Sequence, residues 1–280
     1  MHYQLTIQDD VARTLAEDVG DGDVSAQLID ADTHLQTRLL VREDAVLCGT
    51  AWFDEVFRQC DSSIVVNWSA KDGDLIKTDD VICEVSGPAR ALLSAERSAL
   101  NFLQTLSGTA TTTHYYAELI KSTNCRILDT RKTIPHLRMA QKYAVTCGGG
   151  LNHRIGLFDA YLIKENHLAA CGGIAAAAAA ARALNPDLLL EIEVESIDQL
   201  KQAIDAGVDR ALLDNFSLEQ TREAVALNNA SRNNKRIQLE ASGNITEQSL
   251  IEIANTGVDF ISIGALTKHL RAIDFSLRFL

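Results

Sequence analysis

The sequence predicts an α/β protein in which a parallel sheet follows a smaller α+β region. Three observations predict it. From residue 126 onward, short apolar runs alternate with helical stretches across short connections, as parallel strands joined by right-handed crossovers require. The first hundred or so residues lack that rhythm and carry strand-like runs broken by turns. A chain of 280 residues with 46% hydrophobic content is large enough to bury both parts.

Apolar spacing over residues 7–17 predicts a short helix, and the acidic, glycine-rich run 18–25 a loop. A loop of this kind can attract a cation, but calcium needs a fuller set of oxygen ligands. Strands are expected over 37–47, 63–66 and 80–85, with a helix over 51–59, giving a mainly antiparallel sheet. The DGD turns of KDGDLIKTDDVICEVSG resemble a swinging-arm carrier hairpin, which would need Lys71 or Lys77 exposed at its tip. Asp79-Asp80 resembles the paired acids that hold ribose in the doubly wound phosphoribosyltransferases, but no Thr-rich phosphate loop follows it here.

Gly87-Pro88 ends this region, with Pro88 placed for the first turn of a helix over ARALLSAERSALNFLQTLSG. Leu92, Leu93, Leu100, Leu103 and Leu106 form its apolar stripe, while Arg97 and Asn101, four apart, share another face. Beyond residue 126, strands are expected at 126–129, 160–164, 188–195, 210–214, 237–241 and 260–263. Helices are expected at 174–184, 197–206, 218–228 and 247–255, the first built on seven consecutive alanines. About six strands result, short of the eight that close a barrel. Residues 274–280 form a further strand returning to the first sheet.

The stretch 126–165 holds seven Lys/Arg against three Asp/Glu in a chain of net charge -12. Such a local excess suits a small, multiply charged anion. Arg131 and Lys132 follow a strand, His153 and Arg154 follow Gly148-Gly149-Gly150, and Lys164 follows the apolar run 161–163. They therefore collect at strand carboxyl ends, where parallel sheets bind ligands. Glu193 and Asp214 end later strands. Alternation in LEIEVE sends Glu191, Glu193 and Glu195 to one side, either toward solvent or toward the sheet's interior. Ser242-Gly243-Asn244 and Gly264-Ala265 offer small residues and backbone N–H groups ahead of helices, suited to a phosphate monoester.

The acidic composition argues against a nucleic-acid surface. The start of the sequence lacks the features of a secretory leader, and no run approaches the ~18 apolar residues of a membrane span, so a cytoplasmic location is expected. Cys48, Cys60, Cys83, Cys125, Cys147 and Cys171 are widely spaced, without a C-x-x-C pair, and are expected to be reduced thiols.

The run LDTRKTIPHLRMAQKYAVTCGGGLNHRIGLFDAYLIKENH resembles the core of the quinolinate phosphoribosyltransferase family of NAD synthesis. The resemblance extends in order through AERSALNFLQTLSGTAT, EIEVES, LLDNF, LEASGNIT and DFISIGALTKH, and so covers most of the chain. One departure is His136, standing where the family pattern TRKT-x-PGLR carries glycine. The resemblance implies an incomplete α/β barrel, TIM-like with fewer than eight strands, plus an N-terminal α+β sandwich domain. It implies a domain over 1–106, joined by the strand in 271–280, and a catalytic barrel over 107–270.

It further implies that quinolinate and 5-phosphoribosyl 1-diphosphate become nicotinate mononucleotide, CO2 and diphosphate, with Mg2+ as cofactor. The implied substrate-binding residues are Thr130, Arg131, Lys132, His153, Arg154, Lys164, Glu193, Asp214, Ser242, Gly243, Asn244, Gly264 and Ala265. Arg97 is implied to come from the other subunit of a homodimer. Lys132, Lys164, Glu193 and Asp214 take the catalytic roles, the two acids reaching metal only through water. Two alternatives share parts of this pattern: a related transferase for another aromatic acid, as in the homologues linked to molybdenum transport, and a Schiff-base enzyme using Lys164.

Overall fold

The computed structural model describes residues 4–230 and 236–280. The chain divides into two compact units, residues 1–115, 132–149 and 265–280 forming one and 116–131 with 150–264 the other. The segment 132–149, inside the 107–270 range expected for the barrel, groups with the first unit.

The first unit contains α1 (Gln4–Asp18), β1 (His34–Val41), β2 (Ala45–Val46), α2 (Thr50–Cys60), β3 (Val65–Trp68), β4 (Leu75–Ile76) and β5 (Val81–Pro88). The long helix α3 (Ala89–Leu119), then α4 (Arg138–Cys147), α10 (Ala265–Lys268) and β12 (Phe275–Phe279) follow. Its main sheet has the order β12-β1-β5-β3, all pairs antiparallel. The expected strand 37–47 is split by a turn into β1 and β2.

This sheet and helices α2 and α3 enclose an apolar core. Trp52, Phe53 and Phe57 on α2 are buried with Leu39 and Val41 from β1 and Leu92, Leu100, Leu103 and Leu106 from α3. Phe53 meets Phe57 and Trp68 edge-on at 4.9 and 5.1 Å, an arrangement each ring's quadrupole favours. Burying each of these side chains stabilises the fold by about 2–3 kcal/mol before ordering costs.

Helix α3 starts at Ala89, where the sequence places it, and Pro88 stays in the sheet opposite His34 rather than entering the helix's first turn. It also continues past Gly108 to Leu119. Gly108 is not a stop: a Cβ there would lie 2.3 Å from the carbonyl oxygen of Arg271, so glycine admits a close backbone neighbour.

The second unit is a parallel sheet of six strands: β6 (Arg126–Leu128), β7 (Tyr161–Ile163), β8 (Leu190–Val194), β9 (Arg210–Asp214), β10 (Gln238–Ser242) and β11 (Phe260–Ser262). Their order is β6-β11-β10-β9-β8-β7, with every pairing parallel. The first two strands in sequence thus form the two edges of an incomplete barrel, and a Leu128–Leu151 bridge extends the β6 edge.

Helices α5 (Glu165–Cys171), α6 (Ile174–Leu184), α7 (Ile197–Asp205), α8 (Leu218–Asn229) and α9 (Glu247–Ala254) make the crossovers. Ser196, Ser217 and Thr246 cap α7, α8 and α9 by accepting the N–H three residues on. Each cap contributes about 1 kcal/mol and fixes where a loop becomes a helix. That precision matters because these loops form the barrel mouth.

Candidate active site

Strand alternation aims the barrel's polar residues inward in layers. Glu191 on β8 is fully buried, Glu193 half-buried and Glu195 exposed, so the three acids step from floor to mouth rather than lying on an outer surface. Burying a carboxylate is costly without compensating donors. Their partners come from other strands and loops.

At the mouth, Lys164 follows β7 and begins α5, where its backbone N–H donates to His167 Nδ1 at 3.0 Å. Its ammonium pairs with Glu193. One strand further round, Asp214 ends β9, and its carboxylate accepts from Asn215 Nδ2 at 3.0 Å. Asn215 has φ of 55° and donates its N–H to the carbonyl of Ser242 at 3.0 Å. Asn244 Nδ2 approaches Asn215 Oδ1 at 3.4 Å.

Gly243 has φ of 103°, and a Cβ on it would lie 2.2 Å from Asn215 Oδ1. Both its backbone and its missing side chain are therefore required where the Ser242-Gly243-Asn244 loop crosses Asp214-Asn215. Gly264 follows β11 in the same layer.

Below this lies a charged floor in which His153, expected at the site, meets Glu191, Arg210 and Glu240, which the sequence did not assign to it. The backbone N–H of His153 donates to Asp129 Oδ1 at 2.8 Å. Its Nε2 lies 2.9 Å from Glu191 Oε2 and 3.4 Å from Glu240 Oε2. Arg210 reaches Glu240 at 3.3 Å and stacks 4.3 Å over the Phe260 ring.

Burial works against charge on His153, but Glu191 and Glu240 outweigh it and draw the ring up to about 9. Hydrogen bonding points elsewhere: the Arg154 N–H donates to His153 Nδ1 at 2.7 Å. An N–H cannot accept, so Nδ1 is bare and the ring's proton sits on Nε2. Burial and then the neighbouring Glu240 push the Glu191 carboxyl up to about 7. Glu240 stays below the usual carboxylate range: burial opposes this, but His153, Ser262 and Arg210 prevail.

Arg154 leads into a turn in which Ile155 and Gly156 donate backbone N–H groups to Asp159 at 2.8 and 2.9 Å. Its own pKa is lowered, first by burial and then by Arg131, while Glu191 partly compensates. Two guanidinium groups are thus held close enough to repel, a local charge that a dianion would relieve.

In the first unit, Arg97 and Lys132 are exposed, the carbonyl of Lys132 accepts from Thr267 Oγ1 at 2.7 Å, and Ala265 opens α10. His136 adopts φ of 66°, and Leu137 N–H returns to Ile134 O at 3.2 Å. With Pro135 before it, this matches a type II turn, so the chain keeps the glycine-like conformation with a histidine. All six cysteines are free, and no single helix among the described residues is long and apolar enough to cross a membrane.

The chain is similar to known proteins along nearly all of its length. The family models described as "Quinolinate phosphoribosyl transferase, N-terminal domain" and "C-terminal domain" match residues 23–107 and 109–278. The chain is 40% identical over 262 residues to a probable nicotinate-nucleotide pyrophosphorylase [carboxylating] of Bacillus subtilis, covering 93% of this chain and 89% of that one. It is 38% identical to the nicotinate-nucleotide pyrophosphorylase [carboxylating] of Mycobacterium leprae over 276 residues, 96% of both chains. The solved nicotinate-nucleotide pyrophosphorylase of Francisella tularensis superposes with a TM-score of 0.94 at 46% identity, over 100% of this chain and 98% of that one.

Proposed function

The chain belongs to the quinolinate phosphoribosyl transferase family, and from that premise we propose how its residues carry out the family's reaction. It is a decarboxylating pentosyltransferase, converting quinolinate and 5-phosphoribosyl 1-diphosphate to nicotinate mononucleotide, CO2 and diphosphate in NAD synthesis.

The residue assignment is carried by placement: Arg131 follows β6, and Arg154 lies in the segment that the Leu128–Leu151 bridge sets beside that strand, near enough for Arg131 to lower the Arg154 pKa after burial. Quinolinate bears adjacent carboxylates, and planar guanidinium groups match them bidentately. Arg131 and Arg154 therefore grip the diacid, with His153 beside them and Arg97 supplied by the other subunit of a homodimer. Exposed Arg97 on α3, and exposed Leu157 and Phe158, are consistent with surfaces a second copy covers.

Lys132 and Lys164 lie against the diphosphate and the diacid. Glu193 and Asp214 hold the ribose hydroxyls and face the positive charge that builds at C1 as diphosphate departs. Thr130 lines the diacid side, while Ser242, Gly243, Asn244, Gly264 and Ala265 receive the 5-phosphate through hydroxyl and backbone N–H groups. The ring nitrogen attacks C1. The resulting pyridinium then stabilises the carbanion left when the C2 carboxylate departs as CO2, and that carbon takes up a proton from solvent to give nicotinate mononucleotide.

Glu193 is engaged by Lys164 and Asp214 by Asn215, a donor set suited to water-mediated contact with Mg2+ carried on the donor's diphosphate. A bound Mg2+ would supply charge neutralisation for that leaving group. The Schiff-base alternative is disfavoured because Lys164 is committed to Glu193 and two arginines would have no purpose. We place the enzyme in the cytoplasm.

The test is release of CO2 and nicotinate mononucleotide from quinolinate plus the phosphoribosyl donor, with and without Mg2+. Turnover of nicotinate or another monoacid in preference to quinolinate would refute the diacid assignment.

A further inference from the structure

The floor of the barrel holds a pair of buried carboxylates to which the reaction gives no direct task. Glu191 and Glu240 are both fully buried, and their oxygens lie within 4.8 Å of each other and of His153 Nε2. No donor completes a well-aligned hydrogen bond to either Glu191 oxygen among the described residues. Its Oε2 lies 2.9 Å from His153 Nε2. A buried acid in that setting destabilises the fold relative to an apolar residue, so packing alone does not account for it.

We propose that Glu191, backed by Glu240, is a positioning residue that fixes the ring orientation and proton placement of His153 and, through the shared backbone, aims Arg154 at the diacid. This rests on the roles given above to His153 and Arg154. Four contacts define the clamp. Asp129 holds the His153 backbone N–H, and the Arg154 N–H occupies Nδ1. The carboxylates of Glu191 and Glu240 meet Nε2 from beneath.

With Nδ1 bonded to the Arg154 N–H and Nε2 drawn electrostatically toward two carboxylates, the ring resists flipping, and the peptide between His153 and Arg154 is held with it. Glu191 also faces the Arg154 guanidinium electrostatically and offsets the repulsion from Arg131. Arg210, at 3.3 Å from Glu240, supplies the cation that keeps two adjacent acids in place. Displacing a substrate-gripping group by even about 1 Å can cost a hundredfold in rate. The clamp thus acts on the reaction without touching the reacting atoms.

One nitrogen and two carboxylates could also be a metal-ligand set. The Arg154 amide argues against it. With Nδ1 accepting, neutral His153 keeps its proton on Nε2, the atom a metal would need bare.

The experiment compares Glu191→Leu, which removes the acceptors at similar volume, with Glu191→Gln, which keeps an acceptor oxygen. Steady-state kinetics are measured alongside long-range 15N spectra of the His153 imidazole, assigned against a His153→Gln variant. The expected result for Glu191→Leu is a quinolinate KM raised about tenfold or more, with the donor KM within about twofold. Glu191→Gln stays within about threefold of wild type in both. Wild type and Glu191→Gln show the proton on Nε2, and Glu191→Leu loses that single pattern.

Several results overturn the proposal: a quinolinate KM unchanged in Glu191→Leu, equal rises in both KM values, a wild-type proton on Nδ1, or one equivalent of divalent metal retained after dialysis. If Glu191→Leu does not fold, the wild-type spectrum and Glu191→Gln kinetics decide. The spectra need no substrate, so failure of wild type to use quinolinate would refute the functional reading while leaving the clamp separately tested.

Discussion

Replacing Gly243 by alanine should damage the barrel mouth in a way the structure allows to be apportioned. Gly243 has φ of 103°, and its added Cβ would meet Asn215 Oδ1 at 2.2 Å, Cγ at 2.7 Å and the backbone N at 3.1 Å. Forcing an L-residue into that conformation costs about 1–2 kcal/mol. The Asn215 side chain must also move, giving up its 3.0 Å bond to Asp214, worth about 1 kcal/mol. The sum is about 2–3 kcal/mol, or a melting temperature lower by roughly 5–10 °C.

Freed from Asn215, Asp214 loses its aim at the ribose, and about 1.4 kcal/mol of lost binding is a tenfold rise in the donor KM. The quinolinate KM should change less. Thermal melts and steady-state kinetics measure both parts. Asn215→Gly removes the obstructing atom while suiting that residue's own φ of 55°, so in the double variant the steric part should vanish and the conformational part remain. Melting within 1 °C of wild type and kinetics within about twofold for Gly243→Ala, or strict additivity in the double variant, would refute this account of the loop.

His136→Gly should raise stability by about 0.5–1 kcal/mol, because glycine accepts the φ of 66° that histidine adopts under strain; an unchanged melting temperature would show no strain there. Arg97→Ala should abolish activity alone, and mixing it with Lys164→Ala protein should restore part of it through hybrid dimers. No recovery after verified subunit exchange counts against a shared site. Arg154→Ala should raise the quinolinate KM more than the donor KM, equal effects removing its role as a diacid clamp.

In acid, Asp44 provides a sign test. The hydrogen bond from Lys77, with Thr78 N–H, holds it down to about 2 against an ordinary 3.8. A depressed carboxylate contributes stability above its unfolded pKa, lost as pH falls through the folded one. Asp44→Asn should therefore flatten the melting temperature's decline between about pH 4 and 2, and an unaltered slope would show that this pair does not contribute.

Much of the architecture was legible because period and punctuation agree. The alanine-rich helix over 174–184 and the strand over 210–214 fall where the sequence places them, each bounded by turn residues and carrying an unmixed pattern. Helix α4 was not anticipated, since RMAQKYAVTC is short and lies between Pro135 and three glycines. The end of α3 was misjudged because a glycine admitting a close backbone looks, in sequence, like a glycine ending a helix.

At the site, strand-end cations and acids stand out by their contrast with apolar runs. The rest of the floor beneath His153 did not, because Glu191, Arg210 and Glu240 come from three separate strands and each alone resembles a surface charge. Only the inward turn of their strands, visible in the period-two spacing of LEIEVE, hinted that an acid lay inside.

The pairing of β1 with β12 carries a consequence for synthesis on the ribosome. Strand β1 emerges early, yet one flank of it, from Thr37 to Val41, is covered only by Phe275 to Phe279, and every barrel strand is translated in between. The nascent chain therefore presents an uncapped row of peptide donors and acceptors for most of its elongation, a template for mispairing with a neighbouring polypeptide. Loss of β12 by a premature stop codon would leave that row permanently open, turning an intact catalytic barrel into an aggregation-prone product.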